Sequence, residues 1–285
     1  MSNNIFLSTT CFNEDSLEEI IKISRNNGIT DLEISGGLEF IDEKKLVEIF
    51  EENIDINFRF HNYFPIPKNS FVINLASEKT AKNSIDNILK GIKFASQYGK
   101  KIFSFHAGLR FDPIVSSLGK EQLKYKILNS DTSYKILEMS IDKINKEKLK
   151  DTTICIENNV VEKKNFNQES NMYIFSDLTD SDFIKNLIKT YNIKVLLDVA
   201  HLKVSSKTLK FNPYKFIDEY YDSIFIAHLS DNNSINDDGS ILKKESWFWK
   251  SINWKNLKYI SLEIKNADIS TLKQQIELTS KMINL

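Results

Sequence analysis

The sequence predicts one closed (β/α)8 barrel spanning residues 1–285. Three observations predict it. Short apolar segments alternate with amphipathic ones eight times from end to end without a linker, the pattern of a parallel sheet covered by helices. The apolar segments are continuous, as strands buried on both faces are. The turn after the first of them, "TTCFNEDS", lacks the glycine-rich character of the rival open, doubly wound sheet.

The first strand is "IFLSTT" (5–10). Ser16-x-x-Glu19 then makes a capping box, and Leu17, Ile20 and Ile21 mark a helix face that stops at Gly28. "TDLEIS" (30–35) is the second strand, followed by a helix over 43–52, and "DINFRF" (55–60) is the third. The next helix presents Ile85, Ile88, Leu89 and Ile92 on one face and ends at Gly99. "KIFSF" (101–105) is the fourth strand, and a long helical stretch covers 119–147. "TTICIE" (152–157) is the fifth, followed by a polar loop and a helix over 180–190 with Phe183, Leu187 and Ile188 inward. "KVLLDV" (194–199), "SIFIAHL" (223–229) and "YISLEI" (259–264) complete the strands, and a last helix runs over 268–282.

Composition narrows the function classes. Thirty-eight basic and 39 acidic residues give a net charge of −1, which disfavours a nucleic-acid binder relying on bulk positive charge. Cys11 and Cys155 form no disulfide framework, so a reduced, cytoplasmic compartment is expected. The N-terminus "MSNNIFLSTT" lacks the pattern of a signal peptide, and no apolar run approaches the ~20 residues of a membrane span.

Chemistry gathers at the strand ends, where the catalytic groups of a barrel lie. The chain holds four histidines, His61, His106, His201 and His228, and each falls at a predicted strand end or one turn beyond it. Carboxylates occupy the same places: Glu33, Glu157, Asp198 and Glu263. One such histidine alone reads as a structural hydrogen-bonding residue, and one such acid as a helix cap. Jointly they make a poor core and a good cage for a divalent cation, whose charge offsets that of the buried acids. Mixed nitrogen and oxygen ligands suit Zn2+, Mn2+, Fe2+ or Co2+. His61 and His106 stand open between ligation, including of a second ion, and substrate contact. Glu33 stands open between a structural role and substrate contact.

Over nearly its whole length the chain resembles the xylose-isomerase-like TIM barrels, which include sugar isomerases and epimerases and also endonuclease IV. The matching stretches are "DLEIS" (31–35), "VINLAS" (72–77), "FSFHAG" with His106, "CIENN" (155–159), "LLDVAH" (196–201), "AHLSDN" (227–232) and "SLEIK" (261–265). The isomerase and epimerase branch implies one divalent ion (Mn2+, Zn2+, Mg2+, Co2+ or Fe2+) held by Glu157, Asp198, His228 and Glu263. It also implies that the two glutamates act as the acid/base pair and that His201 contacts a sugar or sugar-phosphate substrate. The endonuclease IV branch implies more ions, with His61 and His106 as ligands and an Asp-x-His pair after the seventh strand. Here "SINDDGS" (234–240) offers Asp237 or Asp238, but Gly239 and Ser240 follow where that histidine would stand. The segment "NYFPIPKNSF" (62–71) is also longer than that branch carries.

The expected function is therefore proton transfer next to a sugar carbonyl, with the charge that develops stabilised by the ion. Phosphodiester hydrolysis at abasic DNA, or metal-dependent lyase or oxygenase chemistry, is the alternative. Asn158 and Lys203 join His201, His106, His61 and Glu33 as candidate substrate contacts; Lys203 and Arg110 read equally as solvated charges. The loop 158–178 reads as a lid or a plain surface loop. Trp247, Trp249 and Trp254 read as packing of the seventh helix or a subunit contact in a homo-oligomer, with a sugar-stacking wall as the other reading.

Overall fold

The computed structural model describes residues 4–167 and 171–284. Eight short strands close into a barrel: β1 (Asn4–Ser8), β2 (Asp31–Ile34), β3 (Asn57–His61), β4 (Gly99–His106), β5 (Thr153–Glu157), β6 (Lys194–Asp198), β7 (Ile224–Leu229) and β8 (Tyr259–Leu262). All neighbours are parallel and in chain order, with β8 closing on β1.

The two-residue period of a strand divides these segments into an inward and an outward set. Ile102, Cys155, Leu196 and Ile226 form a small apolar cluster of their own, an interior plug contributed by β4 to β7. Two residues further along each strand on the same face come Ser104, Glu157, Asp198 and His228, and His106 follows Ser104 by two more. The alternate residues, among them Phe103, Ile154, Val195 and Ala227, join the large core between sheet and helices. A polar layer on a dry plug thus follows from strand parity alone.

The covering helices are α1 (Leu17–Asn26), α2 (Glu43–Glu52), α3 (Ala81–Tyr98), α4 (Ser130–Glu147), α5 (Ser181–Tyr191), α6 (Val199–Leu209), α7 (Pro213–Tyr220) and α8 (Ile269–Ile283). Ser16 caps α1 by position, but its side chain makes no capping hydrogen bond. Gly91 of α3 lies where a Cβ would stand 2.3 Å from the Phe103 ring and 2.7 Å from the Phe64 carbonyl, so helix and sheet meet there only through glycine.

Three expectations need correction. The helix expected over 119–147 begins only at Ser130; Gly119 has a φ of +72°, outside helical space, and Asn129 caps the real start by accepting from the Thr132 amide at 3.0 Å. Two helices, α6 and α7, follow β6, the second entered through Pro213 at its first turn. Among the described residues no α-helix links β7 to β8; the connection is irregular apart from a short 3-10 turn at Trp254–Asn256. Trp249 and Trp254 are buried there, each indole donating to a carbonyl, of Lys243 at 2.7 Å and of Trp249 at 2.8 Å. Trp247 packs edge-on to Tyr214. The tryptophans fill the place of the seventh helix, and none of them lines the cavity at the barrel mouth.

Candidate metal centre at the barrel mouth

Glu157, the last residue of β5, is the hub. Its Oε2 lies 3.2 Å from His61 Nε2 and 3.4 Å from His106 Nδ1. Its Oε1 lies 3.5 Å from His201 Nδ1 and 3.6 Å from His228 Nδ1. The four imidazoles form a chain, His228–His61–His106–His201, with ring centroids 4.9, 6.0 and 5.8 Å apart. One carboxylate thus touches every histidine in the protein.

Two of the rings are aimed by the nitrogen that faces away from Glu157. His61 Nδ1 lies 2.9 Å from the hydroxyl of Ser104, its register partner on β4. His228 Nε2 lies 2.9 and 3.2 Å from the two oxygens of Glu33, which turns Nδ1 toward Glu157 and toward Glu263 Oε2, 3.4 Å away. Glu33 is itself paired with Arg59, and both are fully buried. The Arg59 guanidinium lies 5.7 Å from the Phe6 ring and 5.9 Å from that of Tyr259, a cationic layer between plug and mouth. Burial opposes the charge on Glu33, yet Arg59 and then His228 hold its carboxyl well below the usual range.

The Asp198-x-x-His201 spacing has a structural cause. Asp198 is the N-cap of α6, and its Oδ1 accepts from the His201 amide at 2.7 Å. That places the His201 ring at the mouth, where Nδ1 donates to the Asn158 carbonyl at 3.0 Å. The free Nε2 then faces Asp198 Oδ2 at 3.7 Å and Asp237 Oδ2 at 3.4 Å. The cap and ligand readings of Asp198 therefore coexist. Of the two aspartates the loop offered, Asp237 is the one at the centre.

The donor set fits a cation. Glu157, Asp198, Asp237 and Glu263 crowd a buried space, and burial, reinforced by those neighbours, pushes the Asp198 carboxyl up to about 7 although His201 pulls it down. Burial also disfavours charge on His201 and His228. Asp198 and Asp237 nonetheless hold the first well above the usual histidine value, as Glu263 and Glu33 hold the second. Burial, with help from His201 and His61, lowers His106 to about 4 against the pull of Glu157. Among the described residues, Glu157 Oε2, His106 Nδ1 and His228 Nδ1 are buried without a hydrogen-bond partner. Three trios each bring one ligand atom per residue within 4.8 Å of one another: His61, His106 and Glu157; Glu157, Asp198 and His201; and Glu33, His228 and Glu263. Second-sphere carboxylate, hydroxyl and carbonyl partners on the histidines are the arrangement metal-binding imidazoles use.

Several expected substrate contacts are engaged elsewhere. Asn158 is spent on the backbone of Asp198, accepting from its amide at 2.8 Å and donating to its carbonyl at 3.0 Å, so it ties β5 to β6 rather than facing a ligand. Lys203 is held by Asp231 and the Asn232 carbonyl. Arg110 donates to the carbonyls of Asn171 and Leu128. Glu33 has both oxygens engaged beneath His228. In the loop 158–178, residues 168–170 lie outside the described residues; the rest is tied to the β4–α4 connection, with the Arg110 amide donating to the Met172 carbonyl at 2.7 Å and the Asn159 side chain donating to the Gly108 carbonyl at 2.9 Å.

A cavity of about 520 Å³ opens beside the centre, with His106 and His201 in its lining. Its walls come from the connections after β2, β3, β4 and β5, with His201 of α6, and are chiefly aliphatic and aromatic, and among the described residues no lysine or arginine lines it.

No protein family matches the chain in a scan, and no curated protein matches it. Solved structures do. D-psicose 3-epimerase from Clostridium cellulolyticum H10, with D-tagatose, is 12% identical with a TM-score of 0.66, covering 98% of each chain. Endonuclease IV from Thermus thermophilus is 11% identical with a TM-score of 0.59, again over 98% of each chain. A xylose isomerase-like TIM barrel protein from Mycobacterium smegmatis, in complex with magnesium, is 7% identical with a TM-score of 0.60, over 99% of this chain and 98% of that one. The structural neighbours are thus xylose isomerase-like TIM barrels, sugar epimerases and endonuclease IV among them, and the likeness establishes the fold.

Proposed function

We propose that this barrel is a divalent-metal-dependent isomerase or epimerase of a small sugar-like substrate, working by proton transfer next to a carbonyl. The observation that carries the reading is the approach of both Glu157 and Glu263 to His228 Nδ1, at 3.6 and 3.4 Å, beside a cavity with no lysine or arginine among its described lining residues. Glu157, Asp198, His228 and Glu263, which the trios divide between Glu157–Asp198–His201 and Glu33–His228–Glu263, would hold the ion, and His61 with His106 offers a second position that shares Glu157. An ion there would polarise the carbonyl and the neighbouring hydroxyl and so stabilise the enediolate. The chain's own groups do the rest. One of Glu157 and Glu263 removes the C–H proton and the other returns it. In the ion-free chain, in spite of burial, the histidines hold both carboxyls below their usual range, His106 and His61 foremost for Glu157 and His228 for Glu263. His201 and His106, at the cavity floor, are placed to hydrogen-bond substrate oxygens.

The test is exchange of substrate C–H for deuterium in D2O across a panel of ketoses and aldoses with Mn2+-loaded protein. Exchange that needs both glutamates supports the reading, and its absence on every sugar removes it.

A second reading has its own support. The trio His61, His106 and Glu157, together with Asp237 beside His201, provides ligands for more than one ion, and paired ions suit hydrolysis of a phosphodiester. Nicking of an abasic-site duplex by the metal-loaded chain would favour it. The neutral overall balance and the absence of basic residues from the described cavity lining speak against a nucleic-acid substrate.

A further inference from the structure

We propose that the substrate is an uncharged molecule with an apolar arm, an aryl or alkyl substituent distal to the reacting carbonyl, and that this arm occupies the cavity beside the centre. The placing of the carbonyl rests on the function proposed above; the arm rests on the cavity.

The cavity is continuous with the centre through His106 and His201, so whatever reacts there has its far end in this space. Its apolar lining includes Tyr63, Phe71, Leu109, Phe111, Val115 and Leu118. The volume of about 520 Å³ falls within the roughly 300–1,000 Å³ of sites that enclose drug-sized ligands.

Apart from the unpartnered Asn62 Oδ1 and the two histidines, the polar lining is largely committed within the protein. Asn159 Nδ2 donates to the carbonyls of Gly108 and Ile174 at 2.9 and 2.6 Å. Asn165 Oδ1 accepts from the Gln122 amide at 2.8 Å, and the Gln122 side chain donates to the carbonyls of Ser117 and Lys120. The Tyr63 hydroxyl accepts from the Phe71 amide at 2.9 Å. A row of sugar hydroxyls carried into this space would leave water for few partners, and an unpaired buried hydroxyl is costly. Among the described lining residues a phosphate would meet no lysine or arginine and would face Glu162, which already holds Lys164 and the Asp237 amide.

The rim supplies an independent observation. Val115 and Leu118 are 42% and 52% exposed although they line the cavity. Two large aliphatic side chains held open at the entrance to an apolar space would be covered by an apolar arm and gain by it.

The test compares three ketoses alike at the reacting carbons: D-fructose, D-fructose 6-phosphate and 6-O-benzyl-D-fructose. Each is titrated calorimetrically into the Mn2+-loaded full chain. The benzyl sugar is expected to bind at least tenfold tighter than fructose, about 1.4 kcal/mol, and the phosphate no tighter than fructose. In the double variant Val115→Ser, Leu118→Ser, at exposed positions where folding is not at stake, that preference is expected to shrink at least threefold. Equal affinities, tighter binding of the phosphate, no measurable binding of the benzyl sugar, or an unaltered preference in the double variant overturns the proposal. Deuterium exchange is read separately on the same sugars: preferential benzyl-sugar binding without exchange keeps the arm and removes the isomerase.

Discussion

His228 donates its Nε2–H to Glu33 Oε2, 3.2 Å away, and this bond decides which nitrogen faces the mouth. The acceptor is a carboxylate that Arg59 keeps ionised, so the proton sits on Nε2 and the Nδ1 lone pair is left for a cation between Glu157 and Glu263. The same division holds at His201, where the Asn158 carbonyl takes Nδ1–H and Nε2 is left facing the two aspartates.

Glu33→Gln should therefore weaken binding of Mn2+ by about 10–100-fold without unfolding the barrel. The checks are competition titration against a chelating dye and the visible spectrum of the Co2+-loaded protein, whose bands should shift with the geometry of His228. Unaltered affinity and spectrum would reduce Glu33 to a partner for Arg59.

Glu157→Gln and Glu263→Gln should each lower substrate deuterium exchange by at least about 100-fold, within the range general acid–base groups contribute. Glu157→Gln should also lower metal affinity more than Glu263→Gln, because Glu157 meets four imidazoles and Glu263 one. Equal effects on affinity would remove Glu157 from the hub.

The acids fix the sign of a pH effect. The Asp198 carboxyl is raised from near 3.8 to about 7, so between those values the ion-free folded protein holds a proton that the unfolded chain has released. Asp198 makes stability fall as pH rises through that window, while His106, lowered from 6.5 to about 4, acts oppositely below about 6.5, so the net fall lies above that pH. The raised His201 and His228 act in the same direction, since their stabilising charge is lost as pH rises through their folded values. A cation takes the place of those protons. The rise in Tm on adding Mn2+ should be larger at pH 8 than at pH 6, and the reverse order in a thermal melt would contradict the assignment.

Gly91→Ala should cost about 1–3 kcal/mol in urea unfolding, because its Cβ would stand 2.3 Å from the Phe103 ring. Metal stoichiometry should survive, since Phe103 belongs to the outer core and the ligands to the inner face.

Much of this centre was legible in the sequence because strand parity and residue type coincide. Glu157, Asp198 and His228 each lie two residues beyond a member of the plug, Cys155, Leu196 and Ile226, so a list of strand ends already names them. Arg59 was hidden. It sits inside "NFRF", flanked by Phe58 and Phe60, and a lone arginine mid-strand gives no sign that it lies under the site. Its signal is only parity with His61, two residues on. Asn158 looked like a contact because it follows Glu157, but that neighbour points the other way along the strand and meets the Asp198 backbone instead. The missing seventh helix could have been read from 230–258, where asparagine, aspartate and serine interrupt any helical apolar spacing and the three tryptophans supply bulk without period.

The most direct measurement is calorimetric titration of the chelator-stripped chain with Mn2+, paired with metal analysis of the dialysed product. At least one ion per chain should be retained, and Asp198→Asn together with His228→Ala should abolish its retention. A stripped, folded chain that takes up no ion, or a double variant that holds metal as the parent does, would contradict a metal centre at the barrel mouth.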